Sequence, residues 1–248
     1  MADSPWIIAA TALVAGAIAA ISGFGIGSIL TPLLLLSFPA PAAVALVAIP
    51  HAIATAVRWW GLRAHVDGAT FRQFGLASAV GGLTGAVLQP HIGNVGLTIV
   101  LAGLLLLAGS TQLAMKRVPI PASPVWRLAG GALSGLFGGL VGNQGGIRAA
   151  ALLGFELGPT ALVATGTAAA LLVDAARLPV YVVTSHAVLA ANIPIVVAAT
   201  AGALAGTFLG VPVLHHIRER LYRRLVGAML LALGLVLIAG VLAPGTGR

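Results

Sequence analysis

Cysteine is absent from the 248 residues, and acidic residues number only five. A chain without cysteine forms no disulfide and no thiolate metal site, which leaves its compartment undecided. Charged residues make up 7% of the chain, against about 25% in an average soluble domain. So low a charge content excludes an ordinary soluble protein, and the shortage of carboxylates and nucleophiles argues against an enzyme.

A nucleotide-binding loop is also missing. The glycine-rich stretch from Gly138 to Gly146 lacks the Lys-Ser/Thr pair that a Walker-type loop uses to hold phosphates. No cluster of cysteine, histidine or carboxylate has the spacing of a metal site. We therefore expect neither a cofactor nor a metal, and no ATP-driven transport by this chain alone.

Apolar residues dominate what is present. The hydrophobic fraction is 59% and the mean hydropathy is +1.08, with 33 glycines and 14 prolines. This composition predicts an all-α polytopic membrane protein in the lipid bilayer. The net charge of +8 then indicates basic cytoplasmic loops rather than nucleic-acid binding. The first apolar run is too long for a signal peptide and follows Asp3, so we expect no cleavage.

The apolar residues form two sets of four elements. The run from Pro5 to Phe38 would span about 50 Å as one straight helix, whereas a bilayer core is about 30 Å thick. It must therefore be broken, tilted or folded back, and its glycines at 23–28 mark a break. The run 128–155 has a similar break. The other predicted spans are 42–60, 71–88, 95–115, 160–183, 188–211 and 221–242.

The two sets repeat at an offset of 119 positions. Gly23 then corresponds to Gly142, and Arg58 corresponds to Arg177. The shared order of elements is the stronger sign of duplication. We predict a first transmembrane repeat over residues 1–115, a cytoplasmic linker over 116–127 and a second repeat over 128–248.

Orientation depends on whether each broken run crosses the membrane or returns. If both runs return, as re-entrant hairpins, three basic groups share one side and satisfy the positive-inside rule. Each half then makes three crossings, so the second half is inverted and both termini are non-cytoplasmic. The alternative is a parallel repeat of eight full spans. The basic groups are Arg58, Arg63 and Arg72; Lys116, Arg117 and Arg127; and Arg218, Arg220, Arg223 and Arg224.

The paired breaks predict a binding site for an anion. A half-helix begins after each break, and its free N–H groups and dipole favour negative charge. Broken helices at matching positions in two halves are the usual place of a transporter site. The alternative is that the glycines only permit close packing. The predicted site residues are Gly25, Ile26, Gly27 and Ser28 in the first half, and Asn143, Gln144, Gly145 and Gly146 in the second.

Arg148 is the most informative single residue, because an arginine inside an apolar run marks a pathway or a buried partner. Its guanidinium suits the oxygens of a carboxylate, sulfonate or phosphate. A salt bridge to Glu156 or Asp174, or extension to the surface, is the structural alternative.

Further polar residues are candidates. Thr31, Thr165 and Thr167 could present hydroxyls to the anion, although threonine hydroxyls in helices often bond to their own helix. Asp174 and Arg177 are three positions apart and can pair. His51 and Asp174 are candidates for coupling transport to protons, since histidine titrates near neutral pH.

The glycine-rich segments resemble those of the TauE/SafE family of sulfite and organosulfonate exporters. They are residues 23–34, residues 135–146 and the element Ala164-Thr165-Gly166-Thr167. Family members typically show a glycine-rich triplet followed a few residues on by proline. Here the first copy has Gly27-Ser28 before Thr31-Pro32, and the second has Ile147-Arg148 and then Ala151 in place of proline. These departures fall in the predicted site.

The resemblance implies transport of sulfite, sulfoacetate or a related sulfonate across the inner membrane, with an ion gradient as energy source. We therefore expect a secondary transporter with a small anion as partner, protons as a candidate coupling ion and a homodimer as a candidate assembly. Three alternatives stay open: an anion channel, a transporter of another oxyanion or carboxylate, and a membrane enzyme or assembly subunit.

Overall fold

A computed structural model of the protein describes residues 4–22, 26–114, 123–214 and 219–243. Every regular element in these ranges is helical. Three 3₁₀ turns (Arg63–His65, Gln89–His91 and Leu153–Phe155) and one π-helical turn (Phe71–Gly75) connect or extend the α-helices. The α-helices are α1 Pro5–Ser22, α2 Gly27–Leu34, α3 Ala40–Leu62, α4 Gly68–Thr70, α5 Leu76–Leu88, α6 Asn94–Leu113, α7 Pro124–Val141, α8 Gly145–Leu152, α9 Pro159–Thr184, α10 His186–Ala191, α11 Ile193–Leu214 and α12 Glu219–Leu242.

Local sequence explains several helix ends. Helices α3, α7 and α9 each have a proline in their first turn, where the missing N–H leaves no hydrogen bond unmade. Helix α7 ends at Gly142, whose φ of +71° is the left-handed conformation that glycine adopts most readily. Helix α4 begins after Asp67, whose side chain accepts a hydrogen bond from Thr70 N–H at 2.7 Å. That bond holds the pKa of the Asp67 carboxyl below its usual value.

The predicted all-α membrane fold is confirmed. Four helical segments in the described ranges are long and apolar enough to cross a membrane: Ala40–His65, Asn94–Leu113, Pro159–Thr184 and Arg220–Leu242. The protein is therefore a multi-pass membrane protein. Two predicted spans differ in detail. The third begins earlier, at α4, and the span 188–211 is divided between α10 and α11.

The second broken run folds back on itself. Helix α8 runs antiparallel to α7, so that Ala151 packs against Gly130 near the start of α7. After α8, the carbonyl of Gly154 accepts a hydrogen bond from Arg127 Nη2 at 3.1 Å. Residues 124–155 thus form a hairpin whose two ends lie together, as the returning alternative requires.

Glycines bring the long helices into backbone contact. A Cβ placed on Gly81 or Gly135 would overlap a carbonyl oxygen of the facing helix, and these contacts join α5 to α7. Gly202 and Gly206 join α11 to α1 in the same way. Small residues permit this approach in membranes, where packing drives helix association. The α5–α7 pair and the α1–α11 pair are equivalent to each other if α1 corresponds to α7 and α5 corresponds to α11, as two repeats would require.

Helices α3 and α9, which correspond at the sequence offset of 119 positions, run antiparallel. His51 in the middle of α3 contacts Asp174 in α9, whereas Asp67, beyond the end of α3, contacts Thr165 near the start of α9. Equivalent helices run antiparallel when two halves are inverted. These contacts support inverted repeats. The boundaries of the two repeats and the sides of the membrane on which the termini lie stay predictions. Most of the predicted linker lies outside the described residues.

The glycine contacts predict that the same substitution has different effects on stability at Gly135 and at Gly103. Gly135→Leu places a side chain against the carbonyl oxygen of Ser78, and overpacking of this kind destabilises by at least about 1–3 kcal/mol. Gly103 in α6 has nothing within 4 Å of the position that a Cβ would take, so Gly103→Leu should fold normally. The melting temperatures of the two purified variants in detergent test this, and equal values would contradict the contact.

Candidate functional site

The two glycine breaks meet inside the helix bundle. Gly27, the first residue of α2, lies against Gly142, where α7 ends, and a Cβ on Gly27 would overlap the Gly142 carbonyl oxygen. In the next positions of the two breaks, Ser28 Oγ donates a hydrogen bond to Asn143 Oδ1 at 3.0 Å. The breaks of the two halves are therefore in direct contact, although they are 115 residues apart in the chain.

Most predicted site residues of these breaks are buried. Ile26, Gly27, Ser28 and Thr31 lie on or just before α2, and Asn143, Gln144, Gly145 and Arg148 lie on or just before α8. Gly146 is partly buried. Gly25 lies outside the described residues.

Two of the buried side chains have unused hydrogen-bonding atoms. Thr31 is 0% exposed and Gln144 is 2% exposed. Neither Thr31 Oγ1 nor the two amide atoms of Gln144 has a hydrogen-bond partner among the described residues. Buried polar atoms nearly always have a partner. These atoms can therefore bind a ligand or water beside the two helix starts.

The end of α7 is held by side chains that satisfy its last carbonyls. Arg177 Nη1 donates to the Gly138 carbonyl, the Tyr181 hydroxyl donates to the Gly139 carbonyl, and Gln89 Nε2 donates to the Leu140 carbonyl at 2.8 Å. The terminal carbonyls of a helix have no partner within the helix and carry the negative end of its dipole. These three side chains fix the position of the break.

A buried ionic cluster lies beside this break. Asp174 Oδ1 is 2.8 Å from Arg177 Nη2, and Asp174 Oδ2 is 2.7 Å from His51 Nδ1. The pairing of Asp174 with Arg177 agrees with their spacing in the sequence. The sequence does not predict that His51 of the first half completes the cluster, because that contact spans 123 positions.

Arg148 lies in α8 beside Gly166 of α9 and is 4% exposed. Its charge interacts with those of Arg58, Asp174 and Arg177. Arg148 and Arg177 are buried, Arg58 is partly buried, and the carboxylate among these described charges is Asp174, so this region has a net positive charge. Such a charge is unfavourable in a low-dielectric interior unless an anion balances it.

The two threonines predicted in α9 use their hydroxyls on backbone groups. Thr165 Oγ1 accepts a hydrogen bond from the N–H of Asp67 at 2.9 Å. Thr167 Oγ1 donates to the carbonyl of Val163, one turn earlier in the same helix, at 2.7 Å. Both hydroxyls can accept further bonds, and Gly166 between them lies against Arg148 of α8.

Sequence reasoning missed Tyr181 and Gln89, and it did not predict that Arg177 binds a carbonyl of α7. The signal in the sequence was the spacing of Asp174, Arg177 and Tyr181, which places three polar groups on one face of an otherwise apolar helix. That pattern identifies a buried polar face but not the carbonyls that it contacts.

Comparison with known proteins points to a family. The family model described as Sulfite exporter TauE/SafE matches residues 8–237, which is nearly the whole chain. No curated protein and no solved structure matches the chain.

The ionic cluster predicts non-additive mutations. Arg177→Met leaves Asp174 with His51 alone and removes the donor to Gly138, so we expect a loss of about 3–5 kcal/mol in stability. Arg177→Met combined with Asp174→Leu removes the unpaired charge and should lose less than Arg177→Met alone. A double-mutant cycle from melting temperatures in detergent measures this coupling. Additive losses would show that the two side chains do not interact.

Proposed function

Because the chain belongs to the TauE/SafE family of sulfite exporters, whose members are membrane transporters, we propose that it is a secondary transporter of a small sulfur-containing anion. The proposed substrates are sulfite, sulfoacetate and related sulfonates. The proposed location is the inner membrane.

The contact between Gly27 and Gly142 is the observation that carries the proposal. It brings the starts of α2 and α8, with their N–H groups and positive dipole ends, into one buried region. Thr31 and Gln144 add a hydroxyl and an amide with unused hydrogen-bonding atoms. A sulfonate or sulfite has three oxygens, which such converging donors would bind.

Most of the predicted residues have a proposed role in this site. Gly27, Gly145 and Gly146 let the backbone approach the anion, and Ser28 and Asn143 join the two breaks. Arg148 supplies positive charge and, in the binding state, a planar pair of donors. Gly25, Ile26, Thr165 and Thr167 remain proposed site residues without a contact that assigns them a role.

The same contacts suggest how transport would occur. The site is formed by both halves, which meet there through the hydrogen bond of Ser28 to Asn143 and the contact of Gly27 with Gly142. Rotation of one half against the other would alter this region without unfolding a helix. We propose that alternating access is such a movement of inverted halves.

The proposed orientation places the three basic groups in the cytoplasm and both termini outside. Two contacts support a shared side. Gly131 near the start of α7 lies against Phe74, close to Arg72, and Arg223 donates to Gln112 near the end of α6 at 3.0 Å. Helices α5 and α6 are joined by a short turn, so the start of α5 and the end of α6 lie on the same side.

Gln144 provides a direct test of the anion site. Gln144→Leu keeps the side-chain size and removes the amide. Because neither amide atom has a hydrogen-bond partner among the described residues, the substitution should not reduce stability. We expect the melting temperature to be kept while the affinity for sulfite and sulfoacetate falls about 10-fold, the effect of about 1.4 kcal/mol. Gln73→Leu, at an exposed position, is the matched control.

Ligand-induced shifts in melting temperature, and uptake into proteoliposomes, give the two measurements. Unchanged affinity in Gln144→Leu would remove this amide from the site. Anion flux that is recorded as single-channel currents and does not depend on a pH gradient would favour an anion channel.

His51 and Asp174 are the proposed coupling pair. They join α3 of one half to α9 of the other, so a proton on this pair would change the attraction between the halves. His51→Gln keeps a hydrogen-bonding group but cannot titrate. We expect transport by His51→Gln to lose its dependence on an imposed pH gradient while substrate binding is retained. A pH-gradient response equal to that of the wild type would exclude His51 from coupling.

A further inference from the structure

Arg58 and Arg177 occupy equivalent positions in the two halves and make equivalent hydrogen bonds. Arg58 Nη1 donates to the Ala19 carbonyl at 2.7 Å, and Arg177 Nη1 donates to the Gly138 carbonyl. Donor and acceptor residues are 39 positions apart in both cases. Each arginine therefore holds a carbonyl near the end of the broken helix of its own half.

The two arginines differ in what faces the rest of the guanidinium. In the second half, Arg177 Nε donates to Asp174 Oδ1 at 3.0 Å. In the first half, the residue equivalent to Asp174 is Thr55. Neither Arg58 Nε nor Thr55 Oγ1 has a hydrogen-bond partner among the described residues. Thr55 is 1% exposed.

The carboxylate that could balance the charge of Arg58 is already paired with other side chains. Asp174 lies within electrostatic range of Arg58, but its oxygens are bound by Arg177 and His51. Arg148 lies within electrostatic range of Arg58 as well and adds a second positive charge. Arg58 Nε thus lacks, among the described residues, the carboxylate that Arg177 Nε binds, and Thr55 has a hydroxyl at the equivalent position of that carboxylate.

We propose that Thr55 and Arg58 form an oxyanion subsite in the first half, which binds the transported anion where Asp174 supplies a fixed carboxylate in the second half. The Asp174–Arg177 pair shows which geometry the fold allows: an oxyanion oxygen 3.0 Å from Nε of an arginine one turn along the helix. Thr55 Oγ1 would donate a second hydrogen bond. This inference rests on the proposed function, because it concerns the same substrate.

The test uses two substitutions at one position. Thr55→Asp supplies a carboxylate three positions before Arg58, as in the second half, and should occupy the subsite with the protein's own oxyanion. We expect the melting temperature to be equal to or above that of the wild type, and the affinity for sulfite and sulfoacetate to fall at least about 30-fold. Thr55→Val removes only the hydroxyl and should weaken binding about 2- to 10-fold.

Thr98→Val is the matched control, because Thr98 is buried in α6 and donates to its own helix at Asn94. Its affinity should stay within about 2-fold of the wild type. The full chain in lipid nanodiscs is measured with sulfite and with sulfoacetate. If Thr55→Asp fails to fold, Thr55→Val alone decides the matter.

The outcomes separate the two proposals. Affinities of both Thr55 variants equal to that of Thr98→Val would overturn the subsite, while a loss in Gln144→Leu in the same assay would leave the proposed function standing. A wild-type protein that binds neither anion at millimolar concentration would reject the proposed function and the subsite together.

Discussion

The backbone contact between Gly27 and Gly142 is the constraint on which the rest of the structure depends. No side chain fits at Gly27, because its Cβ would overlap a carbonyl oxygen, and Gly142 adopts a left-handed conformation. Both glycines are therefore required by the geometry. Through this contact the end of α7 and the start of α2 are adjacent, and the polar atoms of Ser28 and Asn143 meet inside a bundle of apolar helices.

Backbone polar groups exposed by a broken helix are unfavourable inside a membrane unless protein or a cavity surrounds them. This fold satisfies the carbonyl ends with side chains: Arg177, Tyr181 and Gln89 bind carbonyls at the end of α7, and Arg58 binds one near the end of α1. The helix starts receive no comparable set of acceptor side chains among the described contacts. Cations thus stabilise the negative helix ends, and the same cations leave the interior with a positive charge. One arrangement thus holds the breaks and, in the proposed function, would also attract the anion.

Sequence reasoning succeeded where local chemistry decides the outcome. Apolar length predicted the long spans, and spacing predicted the pairing of Asp174 with Arg177. The glycine runs also located both breaks. It failed where a contact joins distant parts of the chain. The bond of Thr165 to the Asp67 amide, the contact of His51 with Asp174 and the carbonyls bound by Arg58 and Arg177 depend on helix packing. No local pattern encodes these partners.

The most direct measurement of the central claim is the position of a bound anion. Selenite has the shape and charge distribution of sulfite, and its selenium is identified by anomalous scattering in crystals of the full chain grown in lipid. The account predicts an anomalous peak between the starts of α2 and α8, placed so that the oxygens of the anion lie within hydrogen-bonding distance of Gln144 or Thr31. A peak confined to the surface of the bundle, or none at a concentration that raises the melting temperature, would contradict it.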